Sequence, residues 1–195
     1  MADRKFGFET QCLHSGQMPD TTTGARAAPI YQTTSYVFDD SDHAASLFNL
    51  QTFGNVYSRM TNPTNAMVEE RLATLEGGRA GVVVGSGMAA QMTALLTLLE
   101  AGDELVSSST LYGGTYSQFD YGFRRFGIAT HFVDSEDPQN FARAITPKTK
   151  ALYAETIGNP LNNVLDITAV ADIAHNAGIP LVIDSTFATP YLCRP

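Results

Sequence analysis

Lysine is nearly missing from this chain of 195 residues: it occurs only as Lys5, Lys148 and Lys150. No basic cluster exceeds Arg124-Arg125, and the formal net charge is -8. Without a basic stripe the chain offers little to the phosphates of nucleic acid or an anionic membrane, so neither is an expected partner. Cysteine is scarce as well. Cys12 and Cys193 stand far apart and no C-x-x-C pair occurs. That argues against a zinc or redox motif and fits a reducing, cytoplasmic compartment. His14, His43, His131 and His175 lack metal-ligand spacing, so no metal is expected. Long apolar runs are absent too: none approaches the ~20 residues of a membrane span. The stretch Met1-Ala2-Asp3-Arg4-Lys5-Phe6 has no signal-peptide core.

What is present is globular. Hydrophobic residues make up 44% of the chain and charged residues 16%, enough for one large domain or a large piece of one. Residues 1–60 are rich in Thr, Gln, Ser and Tyr and show little periodicity. They carry Tyr31, Tyr36, Phe38, Phe48, Phe53 and Tyr57, too many aromatics for a free tail. The expectation is an arm that packs on something, such as another subunit. Residues 40–50 could hold one short helix capped by Ser41.

From Pro63 the pattern becomes regular. Asn62-Pro63-Thr64 opens a helix, with Asn62 as cap and Pro63 in the first turn, and Gly77-Gly78 ends it. Strands are expected over 80–84, 104–107, 128–133, 151–155 and 181–183. Helices are expected between them, over 88–99, 116–126, 138–145 and 167–176. Strands alternating with helices predict an α/β fold, a mostly parallel sheet with helices on both faces.

Several polar groups then fall just past strands. Gly85-Ser86-Gly87-Met88-Ala89-Ala90 reads as a tight turn entering a helix, whose free amides can bind a phosphate. The string also fits the relaxed dinucleotide fingerprint G-x-G-x-x-A. That reading needs an acidic residue at the end of the following strand, whereas Asp103 and Glu104 precede it. A single phosphate is favoured over a dinucleotide or a plain turn. Tyr112, in Leu111-Tyr112-Gly113-Gly114-Thr115, can stack on a planar ligand or serve as core. Asn159, in Gly158-Asn159-Pro160, can donate to a ring oxygen or simply form a turn. Asp184 ends an apolar strand, where open α/β sheets bind ligands. Arg59, in Tyr57-Ser58-Arg59, suits a phosphate through its planar fork, although taken alone it reads more readily as a surface arginine.

Taken with Asn55-Val56-Tyr57-Ser58-Arg59, Asn62-Pro63-Thr64, Glu155-Thr156-Ile157-Gly158-Asn159-Pro160 and Asp184-Ser185-Thr186-Phe187-Ala188-Thr189-Pro190, these segments resemble the Cys/Met-metabolism (transsulfuration) family of pyridoxal phosphate (PLP) enzymes. They span nearly the whole chain. Residues 51–55 and 119–127 look most like its O-acetylhomoserine sulfhydrylase branch; cystathionine γ-synthase and methionine γ-lyase are the alternatives within the family. The resemblance implies an aspartate-aminotransferase-like large domain (PLP fold type I), incomplete over 61–195, with 1–60 as an arm contacting a neighbouring subunit. It implies that Ser86, Gly87 and Met88 hold the cofactor phosphate, and that Tyr57 and Arg59 reach the phosphate in a neighbouring subunit. Tyr112 would stack on the pyridine ring and act in catalysis, with Thr186 against the other side. Asn159 would contact the ring hydroxyl oxygen and Asp184 the ring nitrogen. The implied reaction is γ-replacement, in which acetate leaves an amino-acid substrate and a sulfur donor, sulfide, takes its place to give homocysteine. A homo-oligomer, a dimer of dimers, is implied as well.

The chain departs from the family at one point. The Schiff-base lysine, which also removes the Cα proton, should follow Asp184, and no lysine does. Lys148 and Lys150 precede a strand and so belong at the sheet edge opposite the cleft. The chain alone is expected to be inactive, as the first half of such an enzyme. Two readings of other classes stay open: a dinucleotide-dependent oxidoreductase, and a truncated, non-catalytic partner subunit.

Overall fold

The computed structural model describes residues 6–195, so Lys5 and the terminal stretch read for a signal peptide lie outside the described residues. Backbone contacts divide the chain into two compact units, one up to Val83 and one from Val84 onward. The sixty residues expected as an arm are grouped with the helix that follows them.

The amino-terminal unit contains α1 (Phe8–His14), α2 (Ser41–Phe48) and α3 (Pro63–Glu76). The cap of α2 is Asp40, not Ser41: the Asp40 carboxylate accepts from the His43 amide at 2.7 Å. Both residue types cap well, but it is Asp40 that has the extended backbone a cap needs, and Ser41 is already helical. Helix α3 begins as expected, with the Thr64 amide donating to Asn62 Oδ1 at 2.9 Å, Pro63 in the first turn and Gly77 left-handed at its end. Asn62 also donates through Nδ2 to Tyr31 O (2.9 Å) and Ser58 Oγ (3.0 Å), tying two stretches of the arm to the helix. Helix α1 packs on α3 so closely that a Cβ at Gly16 (φ +70°) would lie 2.5 Å from Met67 O. Only Leu47, Asn62 and Leu75 are buried among the described residues of this unit.

Residues 80–84 form no strand. An extended segment becomes a strand only when a neighbour pairs with it, and none does among the described residues; the Val83 amide donates to the Glu69 carboxylate instead, at 2.9 Å.

The carboxy-terminal unit runs α4 (Gly87–Leu98), β1 (Glu104–Ser108), α5 (Gly113–Ser117), a π-helical turn (Gln118–Gly122), α6 (Phe123–Arg125), β2 (Ala129–Val133), α7 (Gln139–Ala144), β3 (Thr149–Glu155), α8 (Ile167–Asn176), β4 (Leu181–Asp184) and α9 (Thr189–Leu192). The four strands are parallel in the order β2-β1-β3-β4. Side chains alternate across a strand, and the two faces of the sheet bury separate cores. Leu105, Ala151 and Tyr153 meet Leu95 and Leu99 near α4 and Phe119 and Phe123 of the π turn and α6. Val106, Leu152 and Ala154 meet Phe141 of α7 and Val170 and Ala174 of α8. The chain leaves β1 toward β2 over the first face and returns past β1 to β3 over the second. Connections from the central strands therefore diverge between β1 and β3, which is where such sheets open a ligand crevice.

Candidate functional site

A cleft of about 390 Å³ opens beyond the carboxyl ends of β1, β3 and β4, within the ~300–1,000 Å³ usual for small-molecule sites. Its residues all come from the carboxy-terminal unit. Ser86 caps α4, its hydroxyl accepting from the Ala89 amide at 3.1 Å, and the Ala90 amide is satisfied by Ser86 O. The amides of Gly87 and Met88 find no protein acceptor among the described residues. They face the cleft at the positive end of a twelve-residue helix, an arrangement suited to a phosphate.

Tyr112 stands at the start of α5 and is 54% exposed, so it is not a core tyrosine. Its amide donates to Glu155 Oε1 at 2.7 Å. Asn159 is presented by a short turn closed by Asn162 N to Gly158 O (2.8 Å) and Gly158 N to Asn163 O (2.9 Å). Asp184 is the last residue of β4. Its Oδ1 accepts from both the amide (2.9 Å) and the hydroxyl of Thr186, so Thr186 serves Asp184 directly. Ser86, Gly87, Met88, Tyr112, Asn159, Asp184 and Thr186 thus share one cleft, although they come from separate strand ends and turns. Tyr57 and Arg59 belong to the other unit, where the Arg59 guanidinium lies 5.4 Å from the centre of the Tyr57 ring and both side chains are exposed.

Three further residues here are absent from the sequence-based set. Glu155 is buried at the end of β3, paired in register with Asp184, and both side chains point to the same face of the sheet. Burial pushes the Glu155 carboxyl above its usual range and the neighbouring Asp184 charge adds to that, while the Tyr112 and Asn159 amides oppose it. Tyr153 is buried behind the pair; burial, then the two carboxylates, hold its phenol firmly protonated. Gln91, on the first face of the sheet, touches Asp184 Oδ2 (3.0 Å) and Tyr153 OH (2.8 Å). A charged residue closing the apolar run of β3 was a signal for Glu155. Gln91 was marked only by being a long amide in an otherwise apolar helix.

The amino-terminal edge of the sheet is different. Glu104 opens β1 and is held by the Thr146 hydroxyl (2.7 Å) and His131 (3.2 Å), with its pKa lowered first by that hydroxyl bond. No carboxylate ends β1, where a dinucleotide ribose would need one. Lys148 precedes β3 and Lys150 is its second residue, both at this far edge and exposed. Among the described residues no cluster of His, Cys, Asp or Glu could hold a metal, and no helix is long and apolar enough to cross a membrane.

The cleft fits PLP on its own chemistry: free amides for a phosphate, an exposed aromatic for a ring, an amide for a ring oxygen and a carboxylate for a ring nitrogen. The comparisons agree. An O-acetyl-L-homoserine sulfhydrylase from Leptospira meyeri is 56% identical over 192 residues, covering 98% of this chain and 43% of that protein. A homocysteine/cysteine synthase from Saccharomyces cerevisiae is 51% identical over 191 residues, covering 96% and 43%. A solved Campylobacter jejuni structure, assigned as an O-acetylhomoserine (thiol)-lyase with N'-pyridoxyl-lysine-5'-monophosphate at position 205, superposes with a TM-score of 0.94 at 40% identity. It covers 98% of this chain and 47% of that one. The chain spans less than half the length of the curated relatives it matches. Residues 9–195 match the family model for the Cys/Met metabolism PLP-dependent enzymes, and the chain belongs to that family.

Proposed function

We propose that this chain supplies the amino-terminal, cofactor-binding part of a γ-replacement enzyme that makes homocysteine from O-acetylhomoserine and sulfide. One observation carries the reading. The Gly87 and Met88 amides, the Tyr112 ring, Asn159 and Asp184 converge on one cleft, in a chain of a PLP-dependent family. The relatives' names supply the substrate class.

The chemistry PLP supplies when bound is an electron sink for negative charge at the substrate's α-carbon. In this reading Ser86, Gly87 and Met88 hold the phosphate and Tyr112 covers one face of the ring. Thr186 braces Asp184, and Asn159 orients the ring oxygen. The Asp184 carboxylate holds the ring nitrogen protonated, which keeps the sink deep. Tyr57 and Arg59 act in a neighbouring subunit, through an arm of residues 1–60. That assigns a partner to exposed apolar groups such as Val37 (96%) and Leu50 (89%). A cytoplasmic dimer of dimers belongs to the same reading, and the two free cysteines are at home in a reducing compartment.

The test uses a protein that carries this chain at the length of its relatives. PLP-dependent formation of homocysteine from O-acetylhomoserine and sulfide is expected. Preference for cysteine, giving cystathionine, or no turnover with PLP present, overturns the reading.

A further inference from the structure

Gln91 has no place in the roles above, yet it lies at the back of the cleft and touches residues of three other elements. Its Nε2 is 3.0 Å from Asp184 Oδ2 in β4, 2.8 Å from Tyr153 OH in β3 and 3.0 Å from Thr115 Oγ1 in α5. Its Oε1 is 3.2 Å from the same Thr115 hydroxyl. An amide nitrogen has two hydrogens, so it cannot serve all three acceptors. The consistent assignment gives those hydrogens to Asp184 and Tyr153, while the Thr115 hydroxyl donates to Oε1. Turning the amide over would set its oxygen against the Asp184 carboxylate, acceptor facing acceptor. The buried Thr115 hydroxyl can donate or accept, so it is the acceptor-only Asp184 carboxylate that sets the sense of the amide. Tyr153, its phenol held protonated by burial, lies with its hydroxyl 3.4 Å from the same Asp184 oxygen.

We infer that Gln91 is a positioning residue for Asp184. It donates to Oδ2 and fixes the plane of the carboxylate, so that Asp184 is aimed to hold a pyridinium nitrogen. The inference rests on the reading of Asp184 as the ring-nitrogen partner. In a half-buried site such a bond to a carboxylate is stronger than in water. Because Gln91 is on the helix whose first turn offers the free amides, it also sets the spacing between the phosphate end of the cleft and the carboxylate end.

The test is a double-mutant cycle on PLP binding to a protein that carries this chain at the length of its relatives, read by calorimetry on the cofactor-free form for the parent, Gln91→Leu, Asp184→Asn and the double variant. Gln91→Leu is expected to weaken binding about tenfold or more when Asp184 is present, in line with loss of a hydrogen bond to a charged group. In the Asp184→Asn background it is expected to have little effect. Equal losses in both backgrounds overturn the inference and leave the role of Asp184 standing. If Asp184→Asn binds PLP like the parent, the ring-nitrogen reading fails, and failure of the parent to bind overturns the reading of the cleft; the inference falls with either. PLP labelled with 15N in the ring gives a second readout that a purely structural role would not move. In Gln91→Leu the nitrogen resonance should shift toward the neutral-pyridine value, and an unchanged resonance counts against the inference. Gln91→Met, unbranched and similar in length, repeats the deletion should the leucine variant fail to fold.

Discussion

At the scale of single residues, the decisive feature is a pair of carboxylates. Glu155 and Asp184 sit opposite each other on neighbouring strands, on the same face. Burial raises the pKa of Glu155, and the facing Asp184 charge adds to that. A carboxyl whose folded pKa lies above its unfolded value favours folding most at low pH. That contribution is lost as pH rises from the ordinary glutamate range, about 4.3, through the raised value. Glu155→Gln keeps an oxygen for the Tyr112 amide and removes the charge. It should therefore melt higher than the parent at pH 7, with the difference vanishing near pH 4; thermal melts across that interval check it. Tyr112→Ala should behave differently. The ring is half exposed, so folding stability should barely change while PLP affinity falls, by calorimetry, by about tenfold, the worth of ~1.4 kcal/mol of lost stacking. Tyr112, Asn159 and Asp184 were legible in the sequence because each follows a strand at the edge where ligands bind. Glu155 carried the same strand-end signal, but its role, like that of Gln91, is defined by partners 43 and 93 residues away, which the sequence does not reveal.

At the scale of elements, side-chain caps open the longest helices, α2, α3, α4 and α8. Asn62 is both a helix cap and a buried junction with three hydrogen bonds. Asn62→Ala should cost about 1–2 kcal/mol, seen as a lower urea midpoint, and should loosen the stretches carrying Tyr31 and Ser58. Helix α3 and helix α8 (Ile167–Asn176) could be read from sequence because cap, apolar spacing and terminator agree. Helix α1 could not: its seven residues follow Gly7, which offers no side-chain cap, and the helix is held by packing on α3. The helix expected over 116–126 starts at Gly113 and contains a π turn, which hydropathy does not encode. The strand expected over 80–84 had the right composition. Its state is set by whether a neighbour pairs with it, which composition does not reveal.

At the scale of the whole molecule, the two units differ in kind. The carboxy-terminal unit has two buried cores around a parallel sheet, and Phe123 is fully enclosed in one of them. Phe123→Ala should cost about 3–5 kcal/mol, measured by chemical denaturation. The amino-terminal unit buries little and exposes Phe53, Leu50 and Val37. No lysine among the described residues lines the cleft, so the 195 residues alone should release no homocysteine from O-acetylhomoserine and sulfide; turnover by the isolated chain contradicts the proposed assignment. The α/β class was legible because alternating strands and helices leave few alternatives, and the strand order was not, since it depends on which face each crossover takes. That order has a consequence for how the protein matures. The cleft draws on both sheet-edge β4 and central β1, and its contacts join residues as far apart as Gln91 and Asp184. Contacts this distant in sequence form late and slowly in folding. The pocket is therefore complete only when β4 has docked, and a ligand that captures it would act as a thermodynamic latch, drawing the folding equilibrium forward by mass action.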